Sequence, residues 1–131
     1  MNDIVVKEEQ RGYSIHVEPL HRLITCKLYG FFDSRFERQY HDDFFRVLAS
    51  LHVPEVFLLV DTTEYPPQSK EVQEIRQRII HKLAEYHVTK LAYVAAKALN
   101  RLQSERLAKQ KSEVKIAFFK SEEEARAWLL K

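Results

Sequence analysis

The residues best equipped for chemistry cluster after the apolar run Val56 to Val60. Asp61, Thr62 and Thr63 follow it directly, and Pro66 and Pro67 separate them from Ser69. A carboxylate and hydroxyls just past a buried strand suit a phosphoacceptor, an anion pocket, or a plain strand end followed by a helix cap. Lys97, Asn100 and Arg101 follow a second apolar strand, and Lys120 with Ser121 follows a third. Open αβ sheets bind ligands at the carboxyl ends of their parallel strands, so these groups form a candidate binding rim for an anion or an acidic peptide. Solvated loop charges account for the same residues, and that simpler reading is preferred.

Several chemistries lack their parts. The chain has two glycines, Gly12 and Gly30, whereas phosphate-cradling loops need them clustered. The histidines at 16, 21, 41, 52, 81 and 87 show no metal-ligand spacing and read as surface or packing residues; no metal and no cofactor is expected. Asp61 and Lys120 occupy strand ends in the order of a receiver domain. Such a domain also needs further acids for magnesium and a hydroxyl where Ala95 and Ala96 stand. Catalysis would require a base or nucleophile with an orienting partner, such as Asp61 beside a histidine. Linear order supplies no such pair, and a non-enzymatic binding role is expected.

The elements that position these residues follow from composition and periodicity. With 131 residues, 45% of them hydrophobic, one domain with its own core is expected, spanning 11–131. Residues 1–10 read as a tail or a short edge strand at Ile4 to Val6. Twenty-one Lys and Arg against 19 Asp and Glu give +2, too balanced for nucleic acid or an anionic membrane as a bulk partner. Val56 to Val60, like every other apolar run in the chain, is far shorter than the roughly 20 residues of a membrane span. The lone Cys26 and the absence of a secretory signal in MNDIVVKEEQ point to the cytoplasm.

Tyr13, Ile15 and Val17 alternate with polar residues, and Ile24, Cys26 and Leu28 do the same after a turn at 19–22, which predicts an antiparallel hairpin. Ser34 with Glu37 reads as a capping box. The helix it opens buries Phe36, Tyr40, Phe44, Val47, Leu48 and Leu51, leaves Arg35, Arg38, Asp42, Asp43 and Arg46 solvated, and packs Phe45 at its edge. Val56 to Val60 is a central strand, and Ser69 caps a second helix burying Val72, Ile75, Ile79, Ile80, Leu83 and Tyr86. Arg76 interrupts that stripe and is expected to snorkel to water. A strand at 91–95, a weakly amphipathic helix at 98–110, a strand at 115–119 and a terminal helix capped by Ser121 and Glu124 complete the order. The fold class is therefore α/β, a mixed β-sheet with an N-terminal antiparallel hairpin followed by β-α units.

LITCKLYG, GFFDSRFERQYHDDFFRVL, VFLLVDTTEY, LAYVAA and KIAFFKSEEEARAWLL, in that order and spacing over residues 13–130, resemble the STAS superfamily in its stand-alone SpoIIAA-like form. The resemblance implies a small module for protein interaction or regulation, with binding of a small apolar or anionic ligand as the alternative. It also implies a candidate phosphoacceptor at the start of the helix after the central strand, here Ser69. The glycine of the family's D-S-x-G-type motif is missing and a proline loop intervenes, so Ser69 is read first as a cap. The implied partner is a protein, and the sheet edge leaves room for a homodimer.

Overall fold

The computed structural model describes residues 3–95 and 113–131. Among them, six strands form one sheet in the sequential order β1 to β6. They are β1 (Ile4–Lys7), β2 (Arg11–Glu18), β3 (Leu23–Gly30), β4 (Val56–Glu64), β5 (Val88–Val94) and β6 (Lys115–Phe119). β1, β2 and β3 pair antiparallel, and β3 to β6 run parallel, so the expected mixed sheet with an N-terminal hairpin is the architecture found. The optional edge strand exists as β1. The helix expected at 98–110 lies outside the described residues.

Alternation determines the faces. Tyr13, Ile15 and Val17 on β2, Ile24, Cys26 and Leu28 on β3, and Leu58 and Val60 on β4 point into one core beneath α1 (Ser34–Ser50) and α2 (Lys70–Leu83). Leu23, Leu59, Ala92 and Val94 point to the opposite face, where α3 (Glu122–Leu129) covers them with Ala125 and Leu129. β4, with strands on both sides and helices on both faces, is buried along nearly its whole apolar run, as a central strand must be. A bidentate contact from Arg126 to Glu18, at 2.6 and 3.1 Å, ties α3 to the end of β2.

Three local expectations are corrected. Asp33, not Ser34, caps α1: its carboxylate accepts from the Phe36 amide at 2.8 Å, while the Ser34 hydroxyl donates to Glu71. Both residue types cap well, and the extended backbone at Asp33 decides which one does. Asp43 is not fully solvated, because the Tyr13 hydroxyl donates to it at 2.6 Å from the hairpin. Arg76 does not snorkel; it is 8% exposed. The caps expected at Ser69 and Ser121 are present, accepting from Val72 and Glu124. Phe45 packs at the helix edge, its ring 5.0 Å from that of Tyr86.

Gly30 closes β3 at φ +81°, a conformation that L side chains rarely adopt. A Cβ there would also collide with the Gln10 carbonyl. The chain then enters α1 through Phe31, Phe32 and Asp33.

Candidate functional site

Among the described strand-end residues, Thr62 is withdrawn from the expected rim. β4 continues through Glu64, so Asp61, Thr62 and Thr63 belong to the strand rather than to a loop beyond it. Thr62 is buried, and its hydroxyl donates to the Val94 carbonyl at 2.8 Å across to β5. Asp61 accepts from the amide and hydroxyl of Thr63, at 3.0 and 2.8 Å, a local turn that occupies one carboxylate oxygen. Period two places Asp61 and Thr62 on opposite faces of the sheet, which breaks the expected trio. Lys120 is exposed at the end of β6. Lys97, Asn100 and Arg101 lie outside the described residues. Ser69 is exposed and caps α2.

Charge and burial coincide elsewhere, between the helical layer and the sheet. Glu37 and His41 sit one turn apart on α1, Tyr65 follows β4, and Arg76 comes from α2. Glu37 is 0% exposed, Tyr65 1% and His41 5%. The Tyr65 hydroxyl donates to Glu37 Oε1 at 2.7 Å. His41 Nε2 lies 2.6 Å from Oε2 of the same carboxylate. The Arg76 guanidinium stacks over the Tyr65 ring, 4.6 Å from its centroid. A carboxylate thus gathers two hydrogen-bonding partners in the protein's interior, and a guanidinium lies over the ring of one of them.

These side chains shift one another. Burial pushes the Glu37 carboxyl up, but His41, the Arg76 charge and the Tyr65 hydroxyl outweigh it and hold the group below the usual carboxylate range. Burial raises the Tyr65 hydroxyl well above its ordinary value, with Arg76 opposing and Glu37 adding to the rise. For Arg76, burial opposes the charge, and Tyr65, Glu37 and Tyr93 more than restore it. The net result is a buried guanidinium beside a buried carboxylate, both ionised.

The compensation is incomplete. Arg76 Nε and Nη2 and His41 Nδ1 have no hydrogen-bond partner among the described residues. Leaving such groups dry costs stability, which is why native interiors seldom do it. Arg76 and His41 both line a cavity of about 40 Å³ between the sheet and the two helices, its other walls being Tyr40, Tyr93 and aliphatic residues such as Leu58 and Leu91. Ile79 alone among the lining residues is only partly buried.

A buried glutamine secures the loop over this site. Gln68 accepts from the Phe32 amide at 2.8 Å and donates to the Gly30 carbonyl at 3.2 Å and the Pro66 carbonyl at 2.6 Å. It thereby clips the loop after β4 to the loop before α1, fixing Tyr65 between them.

Sequence reading passed over Glu37 by assigning it to a capping box, over His41 as a scattered histidine, and over Arg76 as a snorkelling side chain. The available signal was joint. Glu37 and His41 stand at i and i+4 beside the apolar stripe of one helix, and an opposite charge interrupts the stripe of the next. Ionisable groups on two apolar faces that must meet the same sheet are obliged to compensate one another.

Among the described residues no group of His, Cys, Asp and Glu could hold a metal ion, and no helix is long and apolar enough to cross a membrane. No family model and no curated protein matches the sequence. Among solved structures, the chain is similar to an uncharacterized protein of the DUF3478 family, from Shewanella loihica PV-4, described as having a SpoIIAA-like fold. The two share 20% identity with a TM-score of 0.71, over 95% of this chain and 98% of that one.

Proposed function

We propose that this chain, whose fold is SpoIIAA-like, is a non-catalytic binding module that takes a small ligand between its helical layer and its sheet, and that ligand occupancy regulates a protein partner. The observation that carries the reading is the cavity walled by aliphatic side chains and by two buried ionisable residues with unpartnered polar atoms. Ligand pockets combine a mostly apolar wall with a few polar groups that orient what they hold. His41 on α1 and Arg76 on α2 both line the cavity, so a ligand in it would touch both helices. A ligand touching both helices would favour the arrangement of α1 and α2 that it contacts best, which is the route by which occupancy would reach a protein partner.

Binding is preferred to turnover for a chemical reason. Glu37 orients His41 as a carboxylate orients a catalytic base, but a nucleophile would have to contact His41 Nδ1, and that atom has no partner among the described residues. The Cys26 thiol, the nucleophile type nearest in kind, is held protonated by burial, which pushes it up to about 12.

The test is a thermal-unfolding and amide-NMR screen with benzene, butanol, propionate and propylamine. At least one probe is expected to raise the unfolding temperature with concentration and to shift amides on both α1 and α2, since a ligand selective for the native state stabilises it by mass action. If all four leave those amides and the unfolding temperature untouched, the cavity is not a ligand site.

A further inference from the structure

β1 ends the sheet: among the described residues it has a strand on one side only, β2. The backbone groups on its other side are a template for a further strand. Two contacts determine which residues supply them. The Glu8 amide donates to the Arg11 carbonyl at 2.9 Å, and the Val17 amide reaches from β2 to the Asp3 carboxylate at 3.1 Å. Hydrogen-bonded and non-hydrogen-bonded positions alternate in an antiparallel pair. With Ile4 opposite Ile15 and Val6 opposite Tyr13, the backbones of Ile4, Val6 and Glu8 therefore turn toward β2, and those of Asp3, Val5 and Lys7 turn to the open edge.

The side chains of Asp3, Val5 and Lys7 also share one face of the sheet, by the two-residue period of a strand. Asp3 Oδ2 lies 2.6 Å from His16 Nδ1 on that face. The His16 contact and the Val17 amide hold the Asp3 carboxyl below its ordinary value, so it is charged at neutral pH. Val5 is 61% exposed, and Lys7 is exposed with no ion pair among the described residues. An acid, an apolar residue and a base in that order are their own antiparallel complement.

With Val5 on a twofold axis, Asp3 of each copy stands opposite Lys7 of the other, and Val5 packs on Val5. Outward backbone groups then face outward ones and close a ladder. On the opposite face Ile4 meets Val6 of the second copy, extending an apolar row that already packs on the main core. A shift of one residue sets outward groups against inward ones and forms no ladder, and a shift of two puts a valine in place of one member of each ion pair. Lysine on an edge discourages stray strands, and this one accepts a strand that brings an acid to it.

We infer that β1 is a homodimer interface, in which two copies pair antiparallel about Val5 and join their sheets into one. The contact is confined to residues 3–7, against roughly 20–30 residues a side in a standard interface, so association is weak and concentration-dependent. It uses no residue of the cavity, and its outcome is separate from that of the ligand reading.

The experiment is sedimentation velocity of the full chain from about 10 μM to about 1 mM, the range in which a weak contact fills, with amide exchange followed by NMR over the same series. The chain is expected to pass from monomer to dimer, and the Val5 and Lys7 amides to slow with concentration while that of Val6, already bonded to β2, does not. Lys7→Glu sets like charges opposite each other twice and should weaken dimerisation roughly tenfold or more. Val5→Pro removes an outward N–H without costing β1 a bond to β2, and should abolish the dimer. If that variant detaches β1, Lys7→Glu decides alone. A chain monomeric throughout overturns the inference, as does a dimer that protects other amides or is indifferent to Lys7→Glu.

Discussion

Replacing Glu37 with Gln is the sharpest perturbation of the buried cluster. The substitution preserves shape and leaves an oxygen to accept from Tyr65, but it removes the negative charge that faces Arg76, which is 8% exposed, and His41, which is 5% exposed. Breaking a buried charge pair from one side costs about 3–5 kcal/mol, because the other charge is left desolvated and uncompensated. For a chain of this size, roughly 3–5 °C of unfolding temperature accompanies each kcal/mol, so a fall of roughly 10–20 °C is expected.

The pH dependence gives a second readout. The Glu37 carboxyl is depressed in the folded chain, so the unfolded chain takes up its proton first on acidification. The stabilisation is complete above the unfolded carboxyl range, about pH 4–5, and is lost as the pH falls through the lower folded value. Glu37→Gln has no such contribution to lose. Urea unfolding at about pH 7 and about pH 3 should therefore show a large gap between wild type and variant that narrows in acid. Adding Arg76→Met to Glu37→Gln should recover most of the loss, since removing both charges relieves the orphan. A gap below about 1 kcal/mol at neutral pH, or one unchanged on acidification, would refute the argument that Glu37 is the charged anchor of the cluster.

Asp33→Ala should cost about 1 kcal/mol in urea unfolding and Ser34→Ala less than about 0.5, because only Asp33 receives the Phe36 amide; the reverse ranking would return the cap to Ser34. Ser69→Ala should likewise cost about 1 kcal/mol through the lost Val72 contact, and an unfolding curve superimposable on wild type would remove the cap assignment. Gln68→Leu leaves the buried Phe32 amide without its acceptor and should cost about 1–3 kcal/mol, with NMR shifts spreading to Tyr65; shifts confined to position 68 would show that the two loops are not clipped together. Cys26 should react with a thiol reagent at about pH 8 no faster than the chain unfolds, because burial removes both access and thiolate; rapid stoichiometric labelling would mean that β3 opens locally.

Much of the architecture was legible because local periodicity reports which side of an element is dry. The alternation of Tyr13, Ile15 and Val17, the unbroken run Val56 to Val60 and the stripe Val72, Ile75, Ile80 and Leu83 each forecast the face that the fold buries. Caps at Ser69 and Ser121 were readable for the same reason, being settled within three residues of chain. The cap of α1 was not, since Asp33 and Ser34 are chemically equivalent candidates and only the backbone conformation separates them. The burial of Thr62 was not legible, because a polar residue can continue a strand when its neighbour supplies an acceptor, as the Val94 carbonyl does here.

By itself the sequence determined the order of elements, the hairpin followed by β-α units and the helix faces turned inward, all of which depend on residues a few positions apart. Only tertiary structure decided that Glu37, His41, Tyr65 and Arg76 meet. Two helices and the segment after β4 must stack on one side of the same sheet before those charges come within reach, and an ionisable residue on an apolar stripe declares its partner only when the opposing surface is known. The physical reason is that electrostatic compensation in a dry interior depends on distances through space, whereas periodicity records distances along the chain.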